Sequence, residues 1–182
     1  MWLTGSRVTK RYAKALFEAA QASDQIDRIE NDLNLVKEVI EKSPDFSVLL
    51  QSPVIGSAEK RKIFRQMFEK KLLPLSFNFL NLLLNKGREK ILPEIIEYFF
   101  RLIDESRGII RGQLLSAHPL SVTQLDGLKK HLNRITGKNV QLNQQLDPSL
   151  IGGFVVRMDD TVIDSSIKNQ LVKMKEYMIS NK

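Results

Sequence analysis

The sequence contains no cysteine, which removes disulfides, thiolate nucleophiles and zinc–thiolate centres together and fits a reducing compartment. Histidine is almost as scarce. His118 and His131 stand outside any HExxH pattern and outside i, i+4 spacing to another ligand, so no metal site is expected. One tryptophan and three tyrosines join nine phenylalanines. They do not interleave with lysine and arginine as a base-stacking surface requires. No apolar run reaches the roughly 20 residues that cross a bilayer. The longest, Leu72 to Leu84, is broken by Pro74, Ser76, Asn78 and Asn81. The start, MWLTGSRVTKRYAK, becomes charged too soon for a secretory signal.

Catalytic constellations are missing as well. Gly152-Gly153 is followed at once by Phe154 and lies in no GxxxxGK[ST] context. Asp159-Asp160 are adjacent carboxylates without a positioned base, and read as solvated turn residues. Ser165-Ser166 read as helix caps, because the strand–GxSxG–helix setting of a nucleophile is absent. The expectation is a protein that is not an enzyme, with no catalytic residues, no cofactor, no metal and no small-molecule substrate.

What is present is an ordinary soluble composition, 42% hydrophobic and 27% charged, with a net charge of +7. That excess keeps a second function class in view, a basic protein binding nucleic acid or an anionic surface. The charges are interleaved, however: 18 basic and 15 acidic residues lie before Arg111, and 10 and 6 from Arg111 on. Neither part is a basic tail. A salt-resistant apolar contact with a partner helix is the competing class, and it is separable by the salt dependence of binding.

Helical periodicity dominates the first 107 residues. A first helix spans Ser6 to Ala22, with Val8, Tyr12, Ala15, Leu16 and Ala19 on one face and Ala13, Phe17 and Ala20 on an adjacent one. The apolar surface is wider than one stripe and alanine-rich: either the helix is wholly buried, or one face receives a partner. A second helix, Asp24 to Lys42, carries Ile26, Ile29, Leu33, Val36 and Ile40, with Ser23 or Asp24 as its cap. A short helix, Asp45 to Gln51, and a fourth, Ser57 to Lys71, follow. Ile63, Phe64, Met67 and Phe68 form the apolar face of the fourth, and Lys60, Arg61, Lys62 and Arg65 read as its solvated side. The fifth, Leu75 to Lys86, spreads apolar residues over roughly 220° of its circumference. It lies either at the bundle centre or partly under another molecule. A sixth helix runs from Leu92 to Ser106.

At Gly108 the pattern changes. A strand from Ile109 to Ala117 is followed by a helix opening with the capping-box pair Ser121 and Gln124 and closing at Gly137. A strand from Asn139 to Leu146 follows. A hairpin then joins Phe154-Val155-Val156 to Thr161-Val162-Ile163 through Asp159-Asp160. In the last helix Ile167, Leu171, Met174 and Met178 repeat at four, three and four residues, a narrow seam of coiled-coil type. It packs either on its own sheet or on another helix. The expected architecture is an N-terminal six-helix bundle, residues 1–107, followed by a C-terminal α/β domain of a few strands and two helices, residues 108–182. A domain that small buries only about 60% of its chain surface and is marginal alone.

Arg11-Tyr12-Ala13-Lys14-Ala15-Leu16-Phe17 and Asp147-Pro148-Ser149-Leu150-Ile151-Gly152-Gly153 stand at a separation that resembles the delta subunits of F-type ATP synthases. The mitochondrial counterpart is the oligomycin-sensitivity-conferring protein. The resemblance runs from Arg7 to about Met178. It departs from the commoner pattern at MWLTGSRVTK and at the hairpin turn Met158-Asp159-Asp160-Thr161, where glycine is frequent. It implies a non-catalytic stator subunit. The bundle would bind the N-terminal helix of an alpha subunit through Tyr12, Ala15, Leu16 and Ala19 of the first helix and Phe79, Leu80 and Leu83 of the fifth. The C-terminal domain would meet the C-terminal end of the b subunits, with Gly152, Gly153, Ile167, Leu171, Met174 and Met178 as stalk-binding or structural residues. No nucleic acid is involved on this reading. The absence of a transit-type leader implies a bacterial subunit, peripheral on the cytoplasmic face of the plasma membrane.

Overall fold

The computed structural model describes residues 6–158 and 161–180. Spatial contacts divide the chain into two compact units, Met1–Ile103 and Asp104–Lys182.

The first unit is helical: α1 (Arg7–Ala22), α2 (Ile26–Lys42), α3 (Pro44–Gln51), α4 (Ser57–Phe68), α5 (Pro74–Asn85) and α6 (Leu92–Ser106), with a 3₁₀ turn at Glu89–Ile91. Side-chain caps and prolines set several starts. Ser6 Oγ accepts from the Thr9 N–H, and Ser43 Oγ accepts from the Phe46 N–H. Pro44 and Pro74 occupy first turns, where a missing N–H costs nothing. The expected cap of α2 is corrected. Gln25 precedes that helix without a side-chain bond, and Ser23 instead ends α1, donating its hydroxyl to the carbonyls of Ala19 and Ala20. Asp24 then turns the chain at φ 52°. Every helix feeds one core, which includes Ala13, Leu33, Phe46, Phe64, Leu80 and Phe99.

The second unit holds β1 (Ile109–Ser116), α7 (Val122–Thr136), β2 (Asn139–Leu146), β3 (Phe154–Met158), β4 (Thr161–Asp164) and α8 (Ile167–Ser180). The sheet order is β2-β1-β3-β4. The first pair is parallel across the α7 connection, and the other two are antiparallel. The Asp159-Asp160 turn of the hairpin lies outside the described residues. The capping box forms in full, since Ser121 Oγ accepts from the Gln124 N–H and Gln124 Oε1 accepts from the Ser121 N–H. Gly137 closes α7 at φ 67°. Arg111 on β1 makes a two-point bond to Asp104, at 2.5 and 2.9 Å. Leu114, Leu132, Val140, Val156 and Met158 pack between the sheet and α7; Ala117, Leu150 and Val155 form a smaller cluster. Gly112 in the central strand leaves room for both neighbours, because a Cβ there would meet Met158 Cγ at 2.7 Å and Leu142 Cδ2 at 3.0 Å.

Candidate functional site

Helix α1 carries two apolar rows of identical spacing, set one residue apart and so about 100° around the helix. Thr9, Ala13, Leu16 and Ala20 face the core and are buried. The Thr9 hydroxyl donates to Glu94 Oε2 of α6 at 3.1 Å, which sets the rotation of α1. Val8, Tyr12, Ala15 and Ala19 form the other row. Ala15 is exposed and the other three are half-buried. The Tyr12 ring meets Phe79 of α5 edge-on, with centroids 6.5 Å apart, and Leu82, three residues on, is 43% exposed. The surface left between these elements is apolar, and small at its alanine positions. A helix can approach closely there. Leu16, Leu80 and Leu83 are enclosed in the core. They support this surface from behind while Tyr12, Ala15 and Ala19 line it, with the edge of Phe79 closing one side.

In the second unit the two glycines form the seat of α8. Gly153 has φ 74°, and a Cβ there would run into the Ser165 carbonyl oxygen, with Ser166 Cα 3.1 Å away. Only glycine fits both the conformation and the space. A Cβ at Gly152 would meet Ile167 Cδ1 at 2.5 Å, and the Gly152 carbonyl accepts from the Ile167 N–H. Asp164 and Ser166 complete the seat. Asp164 Oδ1 accepts from both the hydroxyl and the N–H of Ser166, and Ser166 Oγ accepts from the Asn169 N–H. The Ser166 hydroxyl and amide bonds hold the Asp164 carboxyl below its usual pKa. The side-chain and backbone bonds to Ser149 do the same for Asp147.

Past this seat α8 leaves the body. Exposure along the seam rises from 42% at Ile167 to 53% at Leu171, 62% at Met174 and 73% at Met178. Of the two readings of that seam, packing on its own sheet is the one the structure overturns. The physical reason is topological. After β4, the edge strand, the seat at Gly152-Gly153 directs the helix past the short turn at Pro148–Leu150 and away from the sheet.

Several residues carry structure that their sequence context concealed. Lys60 reads as part of a solvated side but is 2% exposed, and the structure corrects it. Its Nζ donates to Glu89 Oε1 at 2.7 Å and to the Leu50 carbonyl at 3.4 Å. The signal was available, since Lys60, Phe64 and Phe68 form one i, i+4 row on the apolar face of α4. Glu89 Oε2 is buried with no partner. Ile151, 61% exposed, holds φ 66°, a conformation that β-branched residues avoid. Position alone does not announce it.

The two histidines line one cleft of about 620 Å³ with Leu120, Leu128 and Phe154. Among the described residues no group of three metal-ligating side chains forms, and no helix is long and apolar enough to cross a membrane. Surface cations are commonly paired one turn away, as in Lys14–Glu18, Lys42–Glu38 and Arg65–Glu69. Each unit therefore leaves an apolar helix surface open, while Val48, Val54, Val122 and Ile135 are exposed elsewhere.

A family model described as the ATP synthase delta (OSCP) subunit matches residues 8–178. ATP synthase subunit delta of Carboxydothermus hydrogenoformans is 40% identical over 168 residues, covering 92% of this chain and 94% of the relative. That of Desulforudis audaxviator is 38% identical over 175 residues, 96% of each, and that of Alkaliphilus oremlandii 36% over 171, covering 94% and 95%. In fold, the chain is similar to one in the cryo-EM structure of the Toxoplasma gondii mitochondrial ATP synthase hexamer. That chain has a TM-score of 0.72 and 24% identity, over 96% of this chain and 98% of that one. With a family match over nearly the whole chain laid over a helical unit and a small four-stranded unit, the chain belongs to the delta (OSCP) subunit family of ATP synthases.

Proposed function

We propose that this chain is the stator link of an F-type ATP synthase, peripheral on the cytoplasmic face of a bacterial plasma membrane. The helical unit binds the N-terminal helix of an alpha subunit, and the second unit binds the C-terminal end of the b subunits. The observation that carries this reading is an apolar helix surface left open on each compact unit: the partly exposed Tyr12–Ala15–Ala19 row beside Phe79, and the exposed seam of α8. A link between a head and a stalk requires two such surfaces and no chemistry of its own. Holding the head against the torque of the rotor lets proton flow drive nucleotide synthesis while this subunit touches neither proton nor nucleotide.

The test is Ala15→Asp. Ala15 is exposed in the free chain, so the variant keeps its circular-dichroism spectrum and melting behaviour. Against a bound helix the new carboxylate is buried without a partner, which costs several kcal/mol, about a hundredfold or more in affinity. Calorimetry with the alpha-subunit N-terminal peptide reads that loss, while b-subunit binding is unchanged. Undiminished peptide affinity removes this face from the site.

A further inference from the structure

We infer that the seam of α8 is built for one amphipathic helix with acidic shoulders, and that Lys168 and Lys175 select it. This rests on the reading of α8 as the stalk-facing surface and adds the chemistry of what it accepts.

The argument begins with heptad geometry. Ile167 and Met174 take one core position of the seam, and Leu171 and Met178 take the other. The residue following each of Ile167 and Met174 lies on one shoulder of the seam, and both are lysine: Lys168 and Lys175. The opposite shoulder holds Gln170 and Tyr177, which are neutral. Glu176 lies on the far side of the helix, about 180° from the seam. All of these side chains are exposed, and neither Lys168 nor Lys175 makes an ion pair among the described residues. Lys168 acts weakly on the Asp147 carboxyl, and Lys173, away from the seam, acts on Asp164. The shoulders of α8 therefore flank an apolar stripe with positive charge along one edge and no negative charge of their own on either. Its complement is a helix with apolar core positions and carboxylates where it meets that edge.

A second copy of this chain fits poorly. Antiparallel pairing of two α8 helices sets the lysine shoulders against each other. Four core residues on a 14-residue helix also bury too little surface for a stable dimer by themselves. Nor does the seam fold back on its own unit, since exposure increases steadily away from the seat.

The experiment titrates the full chain with two labelled three-heptad peptides, read by fluorescence anisotropy. Both carry leucine at the core positions; one has glutamate on both shoulders and the other lysine. Like charges on each peptide discourage its own association. The glutamate peptide binds about tenfold tighter at low salt, and the gap closes as rising ionic strength shortens the Debye length to about 8 Å and below. Lys168→Glu with Lys175→Glu inverts the order, and as exposed substitutions these leave the fold intact by circular dichroism. Equal affinities, or an order that ignores the double reversal, overturn the inference. So does a concentration-dependent dimer of the free chain that Leu171→Asp abolishes, which assigns the seam to a second copy. Purified b subunit separates this inference from the reading beneath it. Wild-type affinity for the doubly reversed chain preserves the stalk reading and removes the selection by lysine. No binding of b subunit to the unaltered chain removes the stalk reading itself.

Discussion

Among the described residues, 21 apolar side chains are buried in the core of the helical unit, drawn from all six of its helices. The second unit buries 8, and its last helix contributes none of them. The bundle keeps most of its apolar surface inside, leaving out a narrow row on α1, part of α5, and Val48 and Val54. The sheet unit covers its main cluster with a single helix and holds α8 away from it. The first arrangement favours intrinsic stability, and the second favours a surface ready for a partner at some expense of its own core.

The largest expected effect is confined to the second unit. Gly153→Asp places a Cβ against the Ser165 carbonyl at φ 74° and a carboxylate in the seat of α8. Strain and steric exclusion together cost several kcal/mol, comparable to the whole stability of a small unit. Amide NMR then shows loss of dispersion from residues of the sheet unit while the bundle signals persist, and alpha-subunit peptide still binds. Loss of both sets of signals breaks the comparison, because it makes the two units one cooperative system.

Lys60→Met comes next. It strands Glu89 in the bundle interior and costs about 3–5 kcal/mol in chemical denaturation. Lys60→Met with Glu89→Leu recovers most of that loss, since the desolvated pair contributes little net stability once both charges are gone. A double variant no better than the single makes the pair a net stabiliser of the bundle.

A matched pair of leucines sharpens the contrast directly. Leu33→Ala empties a fully buried site and costs about 2–5 kcal/mol. Leu171→Ala removes a half-exposed side chain and changes stability by less than about 0.5 kcal/mol, while weakening b-subunit binding.

The smallest effect is in acid. The folded-state pKa of Asp164 is below its unfolded value, so its contribution is complete above the ordinary carboxylate pKa and is lost as pH falls through the lower folded value. Asp164→Asn removes this contribution. Helical signal from α8, followed by amide exchange, should then lose part of its acid dependence below about pH 4.

Local chemistry was the most legible part of this sequence. Ser121, Gln124 and Gly137 mark both ends of α7 through bonds within a few residues of themselves, and two offset faces on α1 are visible as periodicity, although Leu16, read there with Tyr12 and Ala15, lies in the buried row. The same short-range logic misled at Ser23, because a serine hydroxyl serves the end of one helix as readily as the start of the next. Long-range facts left no local mark. Nothing near Ile109 says that β1 is central, with β2 on one side and β3 on the other. Lys60 is neutralised by a residue 29 positions away. The seam of α8 is equally apolar whether it faces a sheet or a partner; the outcome depended on two glycines that set where the helix leaves.

The sheet order also has a mechanical meaning. The chain enters the second unit's sheet at the start of β1 and leaves it at the end of β4. Those two strands point the same way, because β3 between them is antiparallel to both. A pull applied between α6 and α8 therefore slides β1 and β4 past β3 lengthwise. The ladder hydrogen bonds lie across that direction and share the load together, instead of opening one at a time from an end. If the proposed stator role holds, the torque that this subunit resists loads its strands in shear.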